Sequence, residues 1–95
     1  MKTEAALQKY FKAQAKKHDV LWRKLEWAGR QGAPDVFLLK TGRVMFVELK
    51  SPTGKGKLSE KQRREQSRLR NAGATVLTIC SKEEVDDIIK DLTAD

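Results

Sequence analysis

Residues 29–50 read GRQGAPDVFLLKTGRVMFVELK, and the fold is decided in that stretch. Val36-Phe37-Leu38-Leu39 and Val44-Met45-Phe46-Val47 are short runs of β-branched, aliphatic and aromatic residues, as strands are. Thr41-Gly42 joins them, with Gly42 supplying the positive φ of a tight turn. A two-residue turn centred there sets the pairing. Lys40 then faces Arg43, Leu39 faces Val44, Phe37 faces Phe46, and Asp35 faces Glu48. Alternation puts Lys50 on the face of Glu48. Two carboxylates thus oppose each other, roughly 5 Å apart at Cβ, with an ammonium beside them.

Such a pair repels itself and costs stability. A hard divalent cation removes that cost, because Mg²⁺ takes carboxylate and carbonyl oxygens. Taken singly, Asp35 is also a turn residue after Pro34, and Glu48 and Lys50 are also ordinary strand charges. What sets them apart is coincidence: Pro-Asp enters the hairpin, Glu-x-Lys leaves it, and the register brings them together.

Upstream, Thr3 caps a helix running to about Lys17, with Glu4 in the first turn, where an anion is favoured. Leu7, Phe11 and Gln14 share a face, with Tyr10 beside them. Glu4 stands three residues before Leu7, so it either points inward with it or serves only the helix dipole. Val20 to Trp27 alternates as a half-buried strand. Trp22 and Trp27 suit core packing better than stacking on bases. In the loop before Pro34, Arg30 either reaches a phosphate or stays solvated.

Downstream, residues 51–58, SPTGKGKL, form a basic loop directly after the site; its Lys55 and Lys57 suit the backbone of a nucleic acid. Ser59 opens a second helix with Gln62 at capping-box spacing, and Gly73 ends it. Gln62 and Gln66 share a face with Leu69, so buried amides there need partners. Two readings of Gln62 stand side by side: a capping residue alone, or a residue facing the carboxylates and hydrogen-bonding water or phosphate. Arg63, Arg64, Arg68 and Arg70 make the rest of this helix cationic. Thr75 to Cys80 is a buried strand with Cys80 as a small core residue. Ser81 caps a last helix whose inner stripe is Val85, Ile88, Ile89 and Leu92. The helical crossover before the last strand predicts that it joins the sheet in parallel.

Ninety-five residues suffice for one domain, spanning 1–95, with 39% hydrophobic content and a formal charge of +7. The charge is uneven: eight Lys/Arg against two Glu from Lys50 to Arg70, then six acids against one Lys from Glu83 to Asp95. A local basic block favours a polyanion, and nucleic acid is the default partner. One Cys and one His exclude an internal disulfide and a zinc cluster. There is no apolar leader and no membrane-length apolar run, so a reducing cytosolic setting is expected.

Gly32-Ala33-Pro34-Asp35, the hydrophobic hairpin and Glu48-Leu49-Lys50 together resemble the active-site signature of the PD-(D/E)XK nucleases. The G-x-P-D spelling, the small size and Gln62 are similar to the virus-type replication-repair nuclease (VRR-NUC) domain. The resemblance implies an α/β fold, a small mixed sheet flanked by helices with an αβββαβ(α) core. It implies a Mg²⁺-dependent DNA endonuclease, with Mn²⁺ able to substitute. Asp35, Glu48 and the Leu49 carbonyl would hold the metal, and Glu4 would join them as the acid of the first helix. Lys50 would orient or deprotonate the attacking water. Arg30, Lys55, Lys57, Arg63 and Arg64 would meet DNA. Stand-alone relatives are viral or phage proteins similar to Holliday junction resolvases. That implies branched DNA, a homodimer built on Tyr10, Trp22, Trp27 and the first helix, and action in the host cytoplasm. The alternative is a non-catalytic nucleic-acid-binding module that keeps the fold; the intact acid-acid-lysine set argues against it.

Overall fold

A computed structural model describes residues 3–53 and 57–94. The elements are α1 (Glu4–Lys17), β1 (Leu21–Lys24), β2 (Val36–Lys40), β3 (Arg43–Leu49), α2 (Glu60–Asn71), β4 (Thr75–Ile79) and α3 (Lys82–Thr93). The four strands form one sheet in the order β1-β2-β3-β4. The first two junctions are antiparallel, and β4 joins β3 in parallel after the α2 crossover. This is the mixed α/β sheet that the sequence predicts. No helix among the described residues is long and apolar enough to cross a membrane.

The hairpin has the expected register, Lys40 opposite Arg43 and Phe37 opposite Phe46. Both turn residues are left-handed, Thr41 at φ 51° and Gly42 at φ 80°, which matches the twist of the paired strands. Thr3 caps α1 by accepting from the Ala6 amide, and Ser59 caps α2 in a complete capping box with Gln62. Gly73, at φ 99°, follows the C-cap of α2.

The first strand is shorter than the alternation from Val20 to Trp27 predicts. The Val20 amide donates back to Ala15 of the helix end, and the Leu25 amide donates to the Asp35 carbonyl as the pairing with β2 runs out. Trp27 then leaves the sheet edge and packs edge-on against Phe46, ring centroids 6.4 Å apart.

The faces of the sheet differ in kind. On one, α1 and α3 enclose an apolar core in which Leu7, Phe11, Val36, Leu38, Val47 and Val85 are wholly buried. On the other lies α2, whose buried residues are Glu65 and Gln66. Gln66 donates to the Thr78 hydroxyl at 2.9 Å and accepts from Arg70, so its amide is satisfied. Cys80 is half-buried, less enclosed than its apolar surroundings in sequence suggest.

Candidate active site

Asp35 is the residue before β2, and its backbone and side chain both extend the sheet. Its carbonyl accepts from Leu25 at 2.9 Å on the β1 side. Its Oδ2 accepts from the Leu49 amide at 2.7 Å on the β3 side. Pro34 is fully buried beneath it. Gly32 has φ 95°, and a Cβ there would lie 2.6 Å from the Lys61 carbonyl oxygen. The glycine of G-x-P-D is therefore required twice, by its dihedral and by the close approach of the loop to α2.

Glu48 faces α2 and is only 2% exposed. Its Oε2 takes two donors, Lys50 Nζ at 3.2 Å and Gln62 Nε2 at 2.9 Å. Its Oε1 is buried with no hydrogen-bond partner among the described residues. Burial, with the neighbouring Asp35 carboxylate adding to it, pushes the Glu48 carboxyl up to about 7, against the pull of Lys50. A buried acceptor without a donor is costly and calls for a cation or a proton.

Gln62 fills both roles between which the sequence left it open. Its Oε1 accepts from the Ser59 amide as the capping box and from Lys50 Nζ at 3.0 Å, while its Nε2 holds Glu48. One amide thus fixes the start of α2 to the carboxylate of β3. Because the Lys50 amide donates to Ile79 of β4, the Leu49 amide and carbonyl turn the other way, toward Asp35.

Asp35, Glu48, Leu49, Lys50 and Gln62 are therefore together. Glu4 is not: it is exposed in the first turn of α1, and no group of three His, Cys, Asp or Glu gathers as a metal site among the described residues. The structure thus leaves Glu4, expected as a third acidic ligand, apart from Asp35 and Glu48. The residue of α1 that does reach the site is Gln8, one turn on. Its Oε1 accepts from Lys24 Nζ at 2.9 Å, and the same Nζ lies 3.8 Å from Asp35 Oδ1. Neither Gln8 nor Lys24 stood out in the sequence. The available signals were the one-turn spacing of Gln8 from Glu4 and the placing of Lys24 two residues after the inward Trp22.

The donor set fits a hard divalent cation. Among the described residues Glu48 Oε1 is unpartnered and Asp35 Oδ1 has only the 3.8 Å approach of Lys24, while the Leu49 carbonyl lies on the Asp35 side. All three are oxygens of the kind such ions prefer.

Beside the site, Arg30, Lys61, Arg64 and Arg68 line a groove of about 360 Å³ between the loop and α2. The buried carboxylate of Glu65 orders two of them, with Arg30 Nε and Arg68 Nη1 each 3.3 Å from Oε1. Arg64 is paired with Glu60. Lys61 and Arg68 were missed as groove residues, although 61, 64 and 68 share a helix face. Arg63 stands apart from this groove, donating to the Leu58 carbonyl. Lys57 is exposed, and Lys55 lies outside the described residues. A cavity of about 540 Å³ lies toward the other end of β1 and β2, lined in part by Lys12, Lys16, Asp19 and Lys40. It holds no opposed carboxylates.

The aromatic residues expected to form a dimer surface are occupied within the chain. Trp22 is buried edge-on to Phe11, Trp27 packs on Phe46, and the Tyr10 hydroxyl donates to Asp86. Exposed apolar side chains lie elsewhere. Leu21 pairs with Leu39 and Leu39 with Val44, a row across three strands on the α2 side. Leu21 and Val44 are 37% and 43% exposed.

The model of the VRR-NUC domain matches residues 1–83. A solved structure described as a VRR-NUC domain aligns with a TM-score of 0.83 at 37% identity, over 95% of this chain and 97% of that one. No curated protein matches.

Proposed function

The chain belongs to the VRR-NUC domain family, and from that nuclease membership we propose that it is a Mg²⁺-dependent endonuclease that cuts branched DNA. The observation that carries the reading is Glu48 Oε1, buried beside Asp35 with no partner among the described residues. That arrangement favours a proton or a further cation at Oε1. Asp35, Glu48 and the Leu49 carbonyl would hold the ion, with Mn²⁺ as a substitute. When bound, the ion would lower the pKa of water and offset the charge of the scissile phosphate.

The chain's own groups supply the rest. Lys50, held against Glu48 and Gln62, would orient the attacking water and meet the charge that grows on the phosphate. Gln62 keeps that ammonium in place. The groove of Arg30, Lys61, Arg64 and Arg68 would take the flanking backbone, where bidentate guanidiniums suit phosphate. With no base-reading motif, recognition would rest on shape and charge rather than sequence.

A four-way junction requires two symmetric nicks, which a two-fold dimer provides. The row Leu21, Leu39 and Val44 is an exposed apolar surface that would suit that contact. The test is nicking of four-way junction and linear duplex with Mg²⁺ and with EDTA, alongside light scattering. Metal-dependent cutting of the junction by a dimer supports the proposal. Equal cutting in EDTA removes the metal, and a monomer that cuts linear ends removes the junction.

A further inference from the structure

Each carboxylate of the site has its own lysine, and the two lysines are held differently. Lys50 is locked: its side chain is 16% exposed, and it contacts both Glu48 and Gln62. Lys24 is loose: its side chain is 52% exposed, and it approaches Asp35 Oδ1 only to 3.8 Å while Gln8 accepts its hydrogen bond. Lys24 ends β1, which is the edge strand of the sheet. Its ammonium therefore stands between the site and solvent.

We propose that Lys24, steadied by Gln8, is a stand-in cation for the divalent metal: it neutralises Asp35 in the metal-free site, and the metal releases it to a DNA phosphate. The inference rests on the reading of Asp35 and Glu48 as metal ligands. Asp35 Oδ2 is already engaged by the Leu49 amide. Oδ1 is then the freer oxygen for a metal, and it is the one nearest Lys24. Two cations contend for it. A half-exposed pair at this separation is weak, so displacing it costs little. The Glu48–Lys50 pair is enclosed and stays. Once displaced, the Lys24 ammonium is at the open rim with one neutral partner, Gln8, and an anion of the substrate is its natural counter-charge. Metal binding and DNA binding are thereby coupled through one side chain, and the coupling is reciprocal.

The sign of the effect separates this role from a structural one. A lysine that merely supports the fold, or helps to orient Asp35, should weaken metal binding when it is removed. A competing cation should strengthen it. Mn²⁺ titration followed by electron paramagnetic resonance, at low salt and without DNA, reads this directly on the wild type, Lys24→Met, Lys24→Gln and Lys24→Arg. Circular dichroism confirms that each is folded, and the Met and Gln variants guard against failure of either one. The neutral variants should bind Mn²⁺ about threefold or more tightly, with the gain shrinking in high salt. Lys24→Arg should bind as the wild type does. DNA binding by fluorescence anisotropy should weaken about threefold in the neutral variants with Ca²⁺ present, and change little in EDTA, where Lys24 is already engaged. Unchanged or weaker Mn²⁺ binding in both neutral variants, with normal binding by the wild type, overturns the role of Lys24 alone. No Mn²⁺ binding by the wild type overturns the metal site itself, and this role with it.

Discussion

The sheet has one dry face and one wet face, and they divide the work of the protein. Under α1 and α3 the packing is almost wholly apolar, with Phe11, Leu38 and Val85 out of contact with water. Under α2 amides and carboxylates lie beside the apolar Val76: Glu48, Gln62, Glu65 and Gln66, each tied to a neighbour. The apolar face stabilises the fold by burial, which is non-directional and tolerant. The polar face stabilises little, because each hydrogen bond replaces one to water. What it supplies is position: Gln62 fixes Lys50 to Glu48, and Glu65 holds Arg30 beside Arg68.

Separating the faces by mutation tests this division. The largest effect is expected on the wet side and in activity only. Glu48→Ala should lower cleavage about a thousandfold or more, with the far-ultraviolet spectrum unchanged. Retained cleavage would remove Glu48 from the chemistry.

Next comes the dry side. Phe11→Ala should lower unfolding free energy by about 3–5 kcal/mol in urea, whereas Gln66→Ala should lower it by about 1–2 kcal/mol. Equal losses would mean that α2 contributes as much to the core as α1 does.

The third prediction joins the faces through pH. The Glu48 carboxyl is raised from 4.5 to about 7 in the folded protein. Between those values the folded state holds a proton that the unfolded state has released. Stability of the metal-free protein should therefore fall as pH rises from about 4.5 to about 7, by roughly 2–3 kcal/mol. Glu48→Gln should flatten that profile and be the more stable protein at pH 8. Divalent metal should flatten it as well, releasing protons as it binds near neutrality. A wild-type profile that rises with pH over this window would contradict the burial of that carboxylate.

The smallest effects concern the groove. Lys61→Ala and Arg64→Ala should weaken binding to all DNA sequences alike. Each should also reduce the salt slope by about one unit for every phosphate that the side chain had neutralised. Arg63→Ala should change the slope less, since Arg63 lies outside the groove and donates to Leu58. A larger weakening with Arg63→Ala would move the DNA to the other side of α2.

What sequence by itself determined was local or periodic. The Thr41-Gly42 turn set the register that brings Asp35 and Glu48 together, because pairing after a two-residue turn leaves no freedom. Thr3, Ser59 and Ser81 marked their helices, because a cap is a contact between residues two or three apart. The stripe of Val85, Ile88, Ile89 and Leu92 marked the buried side of α3. Only the tertiary structure decided that Gln62 is a cap and a site residue at once, that Lys24 and Gln8 stand at Asp35 while Glu4 stays outside, and that Trp22 is core rather than interface. It also decided that Arg63 and Arg64, adjacent in sequence, serve different surroundings. The physical reason is the same in each case. A side chain's partners depend on the angle and distance at which separate elements pack, and those are set by the whole core rather than by the pattern of any one segment.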